Sequence, residues 1–336
     1  MDSILEIDRL QTVFGAGLDT VTAVEEVTLA LQPGETLCLV GESGSGKSVT
    51  ALSVMRLLGS GGRISGGEIR FGGRDLAGLP ETEMRRIRGR EMAMVFQEPM
   101  SSLNPVLTIG SQLTEMIRLH TERSGREAKA YAVRMLEKVG LPRAADVIKA
   151  YPYMLSGGMR QRIMIAMALS CSPKLLIADE PTTALDVTVQ AQILELMKEL
   201  RNETGTAILL ITHDLGVVAE MADKVAIMYA GQIVEEADVF TLFRQPLHPY
   251  TKGLLDSIVR LEDDGGRLTP VPGTVPPLHR MPQGCRFHTR CAFAEERCRR
   301  EPPELKRAEP GHSVRCWLAG EQAASPLSSR LQAVGS

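Results

Sequence analysis

The stretch GESGSGKS, residues 41–48, decides the fold of this chain. It fits the phosphate-loop pattern G-x-x-x-x-G-K-[ST] and stands between an apolar run, TLCLV (36–40), and a helical pattern, SVTALSVMRLLG (48–59). The alternative is a glycine-rich turn that only joins a strand to a helix. The strand before the pattern and the helix after it favour the phosphate loop.

Each residue type in the loop has a chemical reason. Glycines let the backbone turn tightly, with its N–H groups toward phosphate oxygens, and the helix start adds a favourable dipole. We expect Lys47 to reach the β- and γ-phosphates and the Ser48 hydroxyl to bind Mg²⁺. The expected nucleotide contacts in this stretch are Gly41, Ser43, Gly44, Ser45, Gly46, Lys47, Ser48 and Val49.

A second motif, LLIADEP (175–181), is an apolar strand that ends in two carboxylates. Side chains of adjacent strand residues point to opposite sides, so the two acids need not share a role. We expect Asp179 to hold Mg²⁺ and Glu180 to accept a proton from an attacking water. The alternative is that both acids only cap the next turn, which the nearby phosphate loop makes weak.

Two more polar residues directly follow apolar strands. Gln97 follows MAMVF (92–96), and His213 follows AILLIT (207–212). Ligands of open parallel sheets bind beyond the carboxyl ends of the strands, so both side chains should lie near the phosphates. Gln97 is expected to contact Mg²⁺ and the attacking water, and His213 the γ-phosphate. A lone histidine after a strand is more often structural, so these assignments depend on the whole set.

The stretch MLSGGMRQRIMIAMAL (154–169) resembles a second phosphate-binding helix start. Ser156 is placed to cap the helix, while Gly157 and Gly158 allow a ligand close to the backbone. One nucleotide does not need two such sites from one chain. The economical explanation is a dimer in which each chain closes its Ser-Gly-Gly element over the nucleotide of its partner.

The order of elements predicts an α/β core with a largely parallel sheet. Buried strands are predicted at 36–40, 92–96, 174–179, 207–212 and 225–230. Residues 1–35 and 66–73 suggest a small antiparallel layer. Residues 98–172 suggest a mostly helical insertion, with GREAKAYAVRMLEKVG (125–140) as its clearest helix.

Composition narrows the class of protein. The 336 residues are 43% hydrophobic and 24% charged, with a net charge of −3, so no generally basic nucleic-acid surface is indicated. The start, MDSILEIDRL, does not resemble a signal peptide, and the longest apolar runs are far shorter than a membrane span. We therefore expect a cytoplasmic protein whose membrane contact is made through partners.

Together these motifs resemble the ATP-binding subunits of ABC transporters. GESGSGKS matches Walker A, LSGGMRQR the ABC signature, LLIADEP Walker B and TTALD (182–186) the D-loop. Gln97 and His213 match the Q-loop and H-loop. The resemblance implies ATP and Mg²⁺ as ligands, a nucleotide contact by Asp186, and an adenine-stacking aromatic for which Phe14 is the best candidate. It implies a P-loop NTPase fold with a parallel core, an antiparallel β subdomain and a helical subdomain at about 98–172.

A narrower resemblance links the chain to dipeptide and oligopeptide importers, through PMSSLNPVLTIG (99–110), HPYTKGLL (248–255) and the cysteine tail. It implies import of peptides, or of a related solute such as nickel or glutathione. The implied partners are two transmembrane permease subunits, a second, similar ATPase and an extracytoplasmic solute-binding protein, with no nucleic acid. The implied location is the cytoplasmic face of the bacterial inner membrane.

The tail contains four cysteines, Cys285, Cys291, Cys298 and Cys316. No C-x2-C pair typical of zinc ribbons is present, and a reducing compartment disfavours disulfides. Iron–sulfur clusters accept four thiolates at varied spacing, and members of the resembled branch hold a four-iron cluster here. We therefore favour a [4Fe-4S] cluster, with Zn²⁺ or free thiols as alternatives. Cys38 and Cys171 are expected to be packing residues.

These expectations divide the chain into an ATPase domain (1–262), a C-terminal extension with the cysteines (263–320) and a disordered tail (321–336). Two rival functions are a soluble ABC ATPase of iron–sulfur assembly and one of DNA repair. The first should lack the HPYT extension. The second should carry long coiled coils between the phosphate loop and the signature, where this chain shows no sustained heptads.

Overall fold

A computed structural model describes residues 3–97, 102–183, 185–257 and 271–321. The first residues of the expected helical insertion (98–101) and of the extension (263–270) lie outside these ranges. So does the expected disordered tail beyond residue 321.

The main sheet has eight strands in the order β11-β12-β10-β9-β3-β8-β7-β6. Strands β9, β3, β8, β7 and β6 are parallel to one another, while β10, β12 and β11 are added antiparallel at one edge. The strands are β3 (Thr36–Val40), β6 (Met92–Val95), β7 (Leu175–Asp179), β8 (Ala207–Thr212), β9 (Lys224–Tyr229), β10 (Gln232–Asp238), β11 (Lys306–Glu309) and β12 (His312–Val314).

The five parallel strands coincide with the five predicted apolar runs, with ends that differ by at most one residue. Every residue of β3, β7 and β8 is buried, because helices and other strands cover both faces of the sheet. The predicted α/β core is confirmed. Since β3, β8, β7 and β6 are neighbours, their carboxyl ends form one edge.

A second, four-stranded antiparallel sheet has the order β2-β1-β4-β5. Its strands are β1 (Leu5–Phe14), β2 (Val21–Leu31), β4 (Gly62–Phe71) and β5 (Arg74–Asp75). Alternate side chains such as Leu5 and Ile7 are buried in a core shared with the first helix and one face of the main sheet. The expected antiparallel layer is present, and its third strand begins earlier than residue 66.

Three helices begin at, or directly after, predicted site residues: Lys47–Met55, Gly157–Leu169 and Val187–Thr204. The predicted helix 48–59 is the shorter Lys47–Met55, which ends at a left-handed Arg56. The described helices are α1 (Lys47–Met55), α2 (Glu81–Ile87), α3 (Ile109–His120), α4 (Gly125–Lys138), α5 (Ala144–Val147), α6 (Gly157–Leu169), α7 (Val187–Thr204), α8 (Leu215–Met221), α9 (Val239–Arg244), α10 (Pro249–Asp256), α11 (Glu296–Arg300) and α12 (Trp317–Glu321).

The described part of the helical insertion, residues 102–172, consists of α3 to α6 with short connections. Helix α4 begins at Ser124 with a capping box, in which the Ser124 hydroxyl and the Glu127 carboxylate each accept a hydrogen bond from the other residue's backbone. None of the helices in the described ranges is both long and apolar enough to cross a bilayer.

In its described residues, 271–321, the extension packs into the core of the main sheet. Strand β12 pairs with β10, which places residues of the extension in the main sheet. Phe287 is buried in the same core cluster as the parallel strands, and Val271, Val275 and Met281 pack against that cluster. The extension is therefore stabilised mainly by contacts with the rest of the chain.

Candidate nucleotide site

The phosphate loop follows β3 and leads directly into α1. A Cβ atom at Gly41 would lie 2.2 Å from the Met228 carbonyl oxygen, and Gly46 has a φ of +104°, so both positions require glycine. The Ser45 hydroxyl is buried and has no partner. The loop thus has the tight backbone and an available buried donor that suit a phosphate group.

Lys47 is buried and its ammonium group donates to the carbonyl oxygens of Gly41 and Glu42, at 2.7 and 3.0 Å. Burial lowers the pKa of Lys47, although the nearby carboxylates of Glu180 and Asp179 partly oppose that shift. The cation is held inside the loop, where a bound phosphate would meet it.

Ser48 and Asp179 meet across the site. The Ser48 hydroxyl donates to Asp179 Oδ1 at 3.1 Å. Burial raises the pKa of Asp179, the hydrogen bond from Ser48 lowers it, and the adjacent Glu180 carboxylate raises it further. A hydroxyl and a carboxylate so placed are oxygen ligands of the kind that Mg²⁺ binds, so the donor set fits that ion.

Glu180 is the point at which the strand ends converge. Gln97 Nε2 donates to Glu180 Oε2 at 3.0 Å, and Thr183 Oγ1 donates to the same oxygen at 2.9 Å. His213 Nδ1 lies 3.2 Å from Glu180 Oε1. Burial tends to raise the pKa of Glu180, but the hydrogen bonds from Thr183 and His213 outweigh it and the pKa lies below its usual value. The carboxylate is therefore ionised at neutral pH.

The backbone of Glu180 is strained. Its φ is +46°, in the left-handed region that residues with a side chain seldom occupy. Its N–H donates to the Ile211 carbonyl at 2.9 Å, which extends the pairing of β7 with β8 by one residue. Such strain is found where a side chain must be aimed, and here it turns the carboxylate toward Gln97 and His213.

The convergent residues border a cavity of about 430 Å³. Its lining combines the phosphate loop with the strand ends and consists of Val40, Gly41, Glu42, Ser43, Gln97, Glu180, His213, Leu215 and Leu254. The structure thus brings together the candidate residues that the sequence placed on four different strand ends.

Other predicted contacts lie elsewhere in the same chain. Ser156 caps α6 by accepting from the Met159 N–H at 3.3 Å, and Asp186 caps α7 by accepting from the Val189 N–H at 3.0 Å. Neither residue lines the cavity, nor do Gly157 and Gly158. Ser156 and Gly157 are exposed, and nothing lies within 4 Å of a Cβ built at Gly157.

Two further predicted contacts flank the loop. Phe14 ends β1 opposite Gly62 of β4, where its ring is half-buried and does not line the cavity. Val49 lies in α1 and packs against the core shared with the antiparallel sheet. Both remain predictions as nucleotide contacts.

The four cysteines of the tail approach one another in space. The pKa of Cys285, of Cys291 and of Cys316 is raised to about 11, mainly by burial and in part by the neighbouring cysteines. Yet in the described residues no three His, Cys, Asp or Glu side chains are grouped so as to hold a metal ion. All six cysteines of the chain are free thiols. Cys38 is fully buried within β3, as expected of a packing residue, and Cys171 is half-buried.

Sequence analysis missed four residues of the site. Thr183 was part of a recognised motif but had no assigned contact with Glu180. Glu42 occupies a variable position of the phosphate loop, and its partners Tyr250 and Arg290 are more than two hundred residues away. Only the HPYT stretch, which contains Tyr250, offered a signal for either partner.

Comparison with known families agrees with this geometry. A family model described as ABC transporter matches residues 24–183, which include the phosphate loop and Glu180. A second model, described as the C-terminal region of oligopeptide/dipeptide transporters, matches residues 234–298. Neither match favours the rival functions in iron–sulfur assembly or DNA repair.

Similar proteins cover nearly the whole chain. The oligopeptide transport ATP-binding protein AppD of Bacillus subtilis is 52% identical over 96% of this chain and 99% of its own length. The corresponding OppD of Salmonella typhimurium is 50% identical over 95% of each chain. Among solved structures, the ATP-binding cassette MJ0796, as a dimer bound to ADP and Pi, matches 70% of this chain and 98% of its own with a TM-score of 0.64 and 27% identity. The chain therefore belongs to the ABC transporter family, in the branch of the oligopeptide transport ATP-binding proteins.

Proposed function

We propose that this chain binds and hydrolyses ATP and that the hydrolysis energises the import of peptides, or of a related solute, through partner permease subunits. The observation that carries the proposal is the convergence of Gln97, Thr183 and His213 on Glu180, at the edge of the cavity that the phosphate loop lines. The peptide substrate class is taken from the names of the relatives AppD and OppD.

Each side chain of the site has its own proposed role in ATP hydrolysis. Lys47 leaves the carbonyl oxygens of Gly41 and Glu42 and neutralises the β- and γ-phosphates. Glu180, ionised and aimed by its strained backbone, accepts the proton of the attacking water. Gln97 and His213 fix the carboxylate before ATP arrives and are close enough to contact the water and the γ-phosphate once it is bound.

The donor set at Ser48 and Asp179 would hold Mg²⁺, with Gln97 nearby. Bound there, the ion would supply positive charge to the phosphate oxygens. The Ser48 hydroxyl oxygen and the Asp179 carboxylate would be its protein ligands, and the positive charge would favour the ionised form of Asp179 against the burial that raises its pKa.

The Ser-Gly-Gly element supports a dimeric site. Ser156, Gly157 and Gly158 are predicted nucleotide contacts, yet they do not line the cavity of their own chain. An exposed helix start with room at Gly157 suits a phosphate from another molecule. Each chain therefore presents this element and Asp186 to the ATP of a second ATPase, which is a copy or a homologue.

The helical insertion is the proposed contact with the two permease subunits. Its described residues expose several apolar side chains, Val106, Leu119, Tyr153 and Met154, each more than 60% accessible. Each of these side chains would gain from burial against a partner protein. With the extracytoplasmic solute-binding protein, this arrangement places the chain at the cytoplasmic face of the bacterial inner membrane, without nucleic acid as a partner.

A [4Fe-4S] cluster on Cys285, Cys291, Cys298 and Cys316 remains part of the proposal, with Zn²⁺ or free thiols as the alternatives. Its support is the number of thiols and their mutual approach, and no catalytic step depends on it. Anaerobically purified protein should contain iron and sulfide that Cys291→Ser removes and Cys171→Ser retains. Protein without iron and sulfide would rule the cluster out.

The transport proposal is tested in membranes that contain the permease subunits. The full chain should be retained on such membranes and should release phosphate from ATP in a manner stimulated by a peptide-loaded binding protein. Hydrolysis that responds to DNA and not to peptide, with no retention on membranes, would contradict it.

A further inference from the structure

We propose that Arg290, in the cysteine-bearing extension, is a positioning residue for the phosphate loop and so sets the affinity of the chain for nucleotide. The inference rests on the proposed ATP site and adds to it a residue that lies outside every nucleotide motif. It acts through Glu42, the second residue of the loop.

Two groups hold Glu42 from outside the loop. Arg290 donates through both terminal nitrogens to the Glu42 carboxylate, at 2.6 and 3.0 Å. The Glu42 N–H donates to the hydroxyl oxygen of Tyr250, in α10, at 3.1 Å. Paired hydrogen bonds of this kind fix orientation as well as distance, so the start of the loop is clamped at both its backbone and its side chain.

Arg290 is itself held firmly. Its side chain is only 4% exposed, and its remaining donors reach the carbonyl oxygens of Pro272 and Val271, at 2.6 and 3.2 Å. Its guanidinium lies 5.6 Å from the ring centre of Tyr229 and 6.0 Å from that of Phe287. The hydrogen bonds of Glu42 raise the pKa of Arg290, so its charge persists at any physiological pH.

Glu42 also contacts Lys47, the residue proposed to bind phosphate. The carbonyl oxygen of Glu42 accepts from Lys47, and the side chain of Glu42 lines the cavity. Without the hydrogen bonds from Arg290, the carbonyl oxygens of Gly41 and Glu42 could shift. The Lys47 ammonium group, which donates to both oxygens, would shift with them. Because phosphate binding depends on preorganised donors, loosening this end of the loop should weaken nucleotide binding more than it slows the chemical step at Glu180.

Other contacts attach the extension without touching the loop, and they provide the control. Arg315 is buried, donates to the Ile233 carbonyl at 3.0 Å and pairs with Glu26 of β2 at 3.3 Å. Loss of Arg315 should therefore weaken the attachment of the extension while leaving Glu42 clamped.

The test is a titration of the full-length chain with Mg·ATP, with steady-state hydrolysis and thermal unfolding measured on the same samples. The variants are Arg290→Met, Arg290→Lys, Glu42→Gln, the Glu42→Gln/Arg290→Met pair and the control Arg315→Met. Methionine keeps the bulk beside the rings of Tyr229 and Phe287. Glu42 is partly exposed, so Glu42→Gln tests the clamp even where Arg290→Met fails to fold.

We expect Arg290→Met and Glu42→Gln each to weaken nucleotide binding about tenfold, the loss of one charge-assisted pair, with KM raised and kcat nearly retained. The double variant should bind no more weakly than either single one, because both remove the same contact. Arg290→Lys should recover part of the affinity. Arg315→Met should lower the unfolding temperature without changing affinity.

Equal affinity in wild type and Arg290→Met, or an equal loss in Arg315→Met, would overturn the positioning role while leaving the ATP site intact. A wild-type chain that binds no Mg·ATP would overturn the proposed function as well, so the two failures are distinguishable.

Discussion

The phosphate loop and the cysteine-bearing extension stabilise one site in opposite ways. The loop is built from eight consecutive residues, and its proposed ligand-binding groups are backbone N–H groups with the side chains of Lys47 and Ser48. The extension contributes through single side chains that reach residues far away in sequence, as Arg290 reaches Glu42. A short motif therefore predicts its own chemistry, whereas the extension acquires a role only through the fold.

The two regions also differ in the direction in which the pKa values of their ionisable groups are shifted. Around the loop, hydrogen bonds keep Glu180 ionised although it is partly buried. In the extension, burial raises the pKa of Cys285, of Cys291 and of Cys316 to about 11. The two regions thus shift the pKa of their acidic groups in opposite directions, downward for the Glu180 carboxyl and upward for the three thiols.

The largest expected effect concerns Glu180. Glu180→Gln keeps the shape but removes the base, so ATP hydrolysis should fall roughly 10³-fold, within the usual contribution of a general base. Phosphate release by the membrane complex is the measurement, and Glu199→Gln, exposed on α7, is the control. Full turnover by Glu180→Gln would show that Glu180 is not the general base.

The next largest effect tests the site across two chains. Ser156→Arg places a bulky cation at an exposed helix start and removes the cap of α6, so it should cost about 1 kcal/mol of stability but spare ATP binding by the single chain. It should reduce hydrolysis about 10²-fold, the order expected when catalytic groups are held out of register. Ser156→Thr keeps the helix cap and is the matched control. Undisturbed hydrolysis by Ser156→Arg would show that the site is complete within one chain.

A smaller effect is expected at Lys47. Lys47→Ala removes the buried ammonium, and Mg·ATP affinity should fall roughly tenfold or more, the value of a charge-assisted hydrogen bond. Isothermal titration of the full chain measures it, with the exposed Lys306→Ala as the control. Unchanged affinity would exclude Lys47 from phosphate binding.

The last effect concerns the stability of the fold, not the nucleotide site, and lies at the boundary with the extension. Burial lowers the pKa of His248 to about 4, although the buried Glu235 of β10, which also contacts His312 of β12, opposes the shift. The unfolded chain binds this proton near pH 6.5, so stability from His248 is complete above pH 6.5 and is lost as the pH falls toward 4. Denaturant unfolding should show this loss, up to about 1.4 kcal/mol per pH unit.

The matched variant for that measurement is His248→Asn, which keeps an acceptor for the Tyr250 N–H at the start of α10 but does not titrate. Its stability should depend less on pH than that of the wild type between pH 4 and 6.5. Parallel pH curves for the two proteins would show that His248 is not held neutral.

Much of the fold is predictable from sequence, for a physical reason. The five parallel strands are covered on both faces and so are continuous apolar runs that stand out from the rest of the chain. Strand β10 was not predicted because QIVEEAD contains two glutamates. Glu235 is nevertheless fully buried, since His312 and the N–H groups of Leu247 and His248 satisfy its carboxylate. Strand β12 has three residues, too few for any pattern.

In the site, too, some contacts could be predicted from the sequence and others could not. Asp179, Glu180, Gln97 and His213 could be placed together because each follows a predicted strand, and parallel strands end at one edge. The contacts of Thr183 with Glu180 and of Arg290 with Glu42 could not be predicted. The first depends on a tight turn with a strained Glu180, and the second joins residues 248 positions apart.

The most direct measurement is a structure of the full chain with Mg²⁺ and a non-hydrolysable ATP analogue. We expect Lys47 to leave the carbonyl oxygens of Gly41 and Glu42 for the phosphates, the Ser48 hydroxyl to leave Asp179 for Mg²⁺, and Arg290 to keep its hydrogen bonds to Glu42. An analogue bound elsewhere, with the Lys47 and Ser48 contacts unchanged, would contradict the proposed nucleotide site.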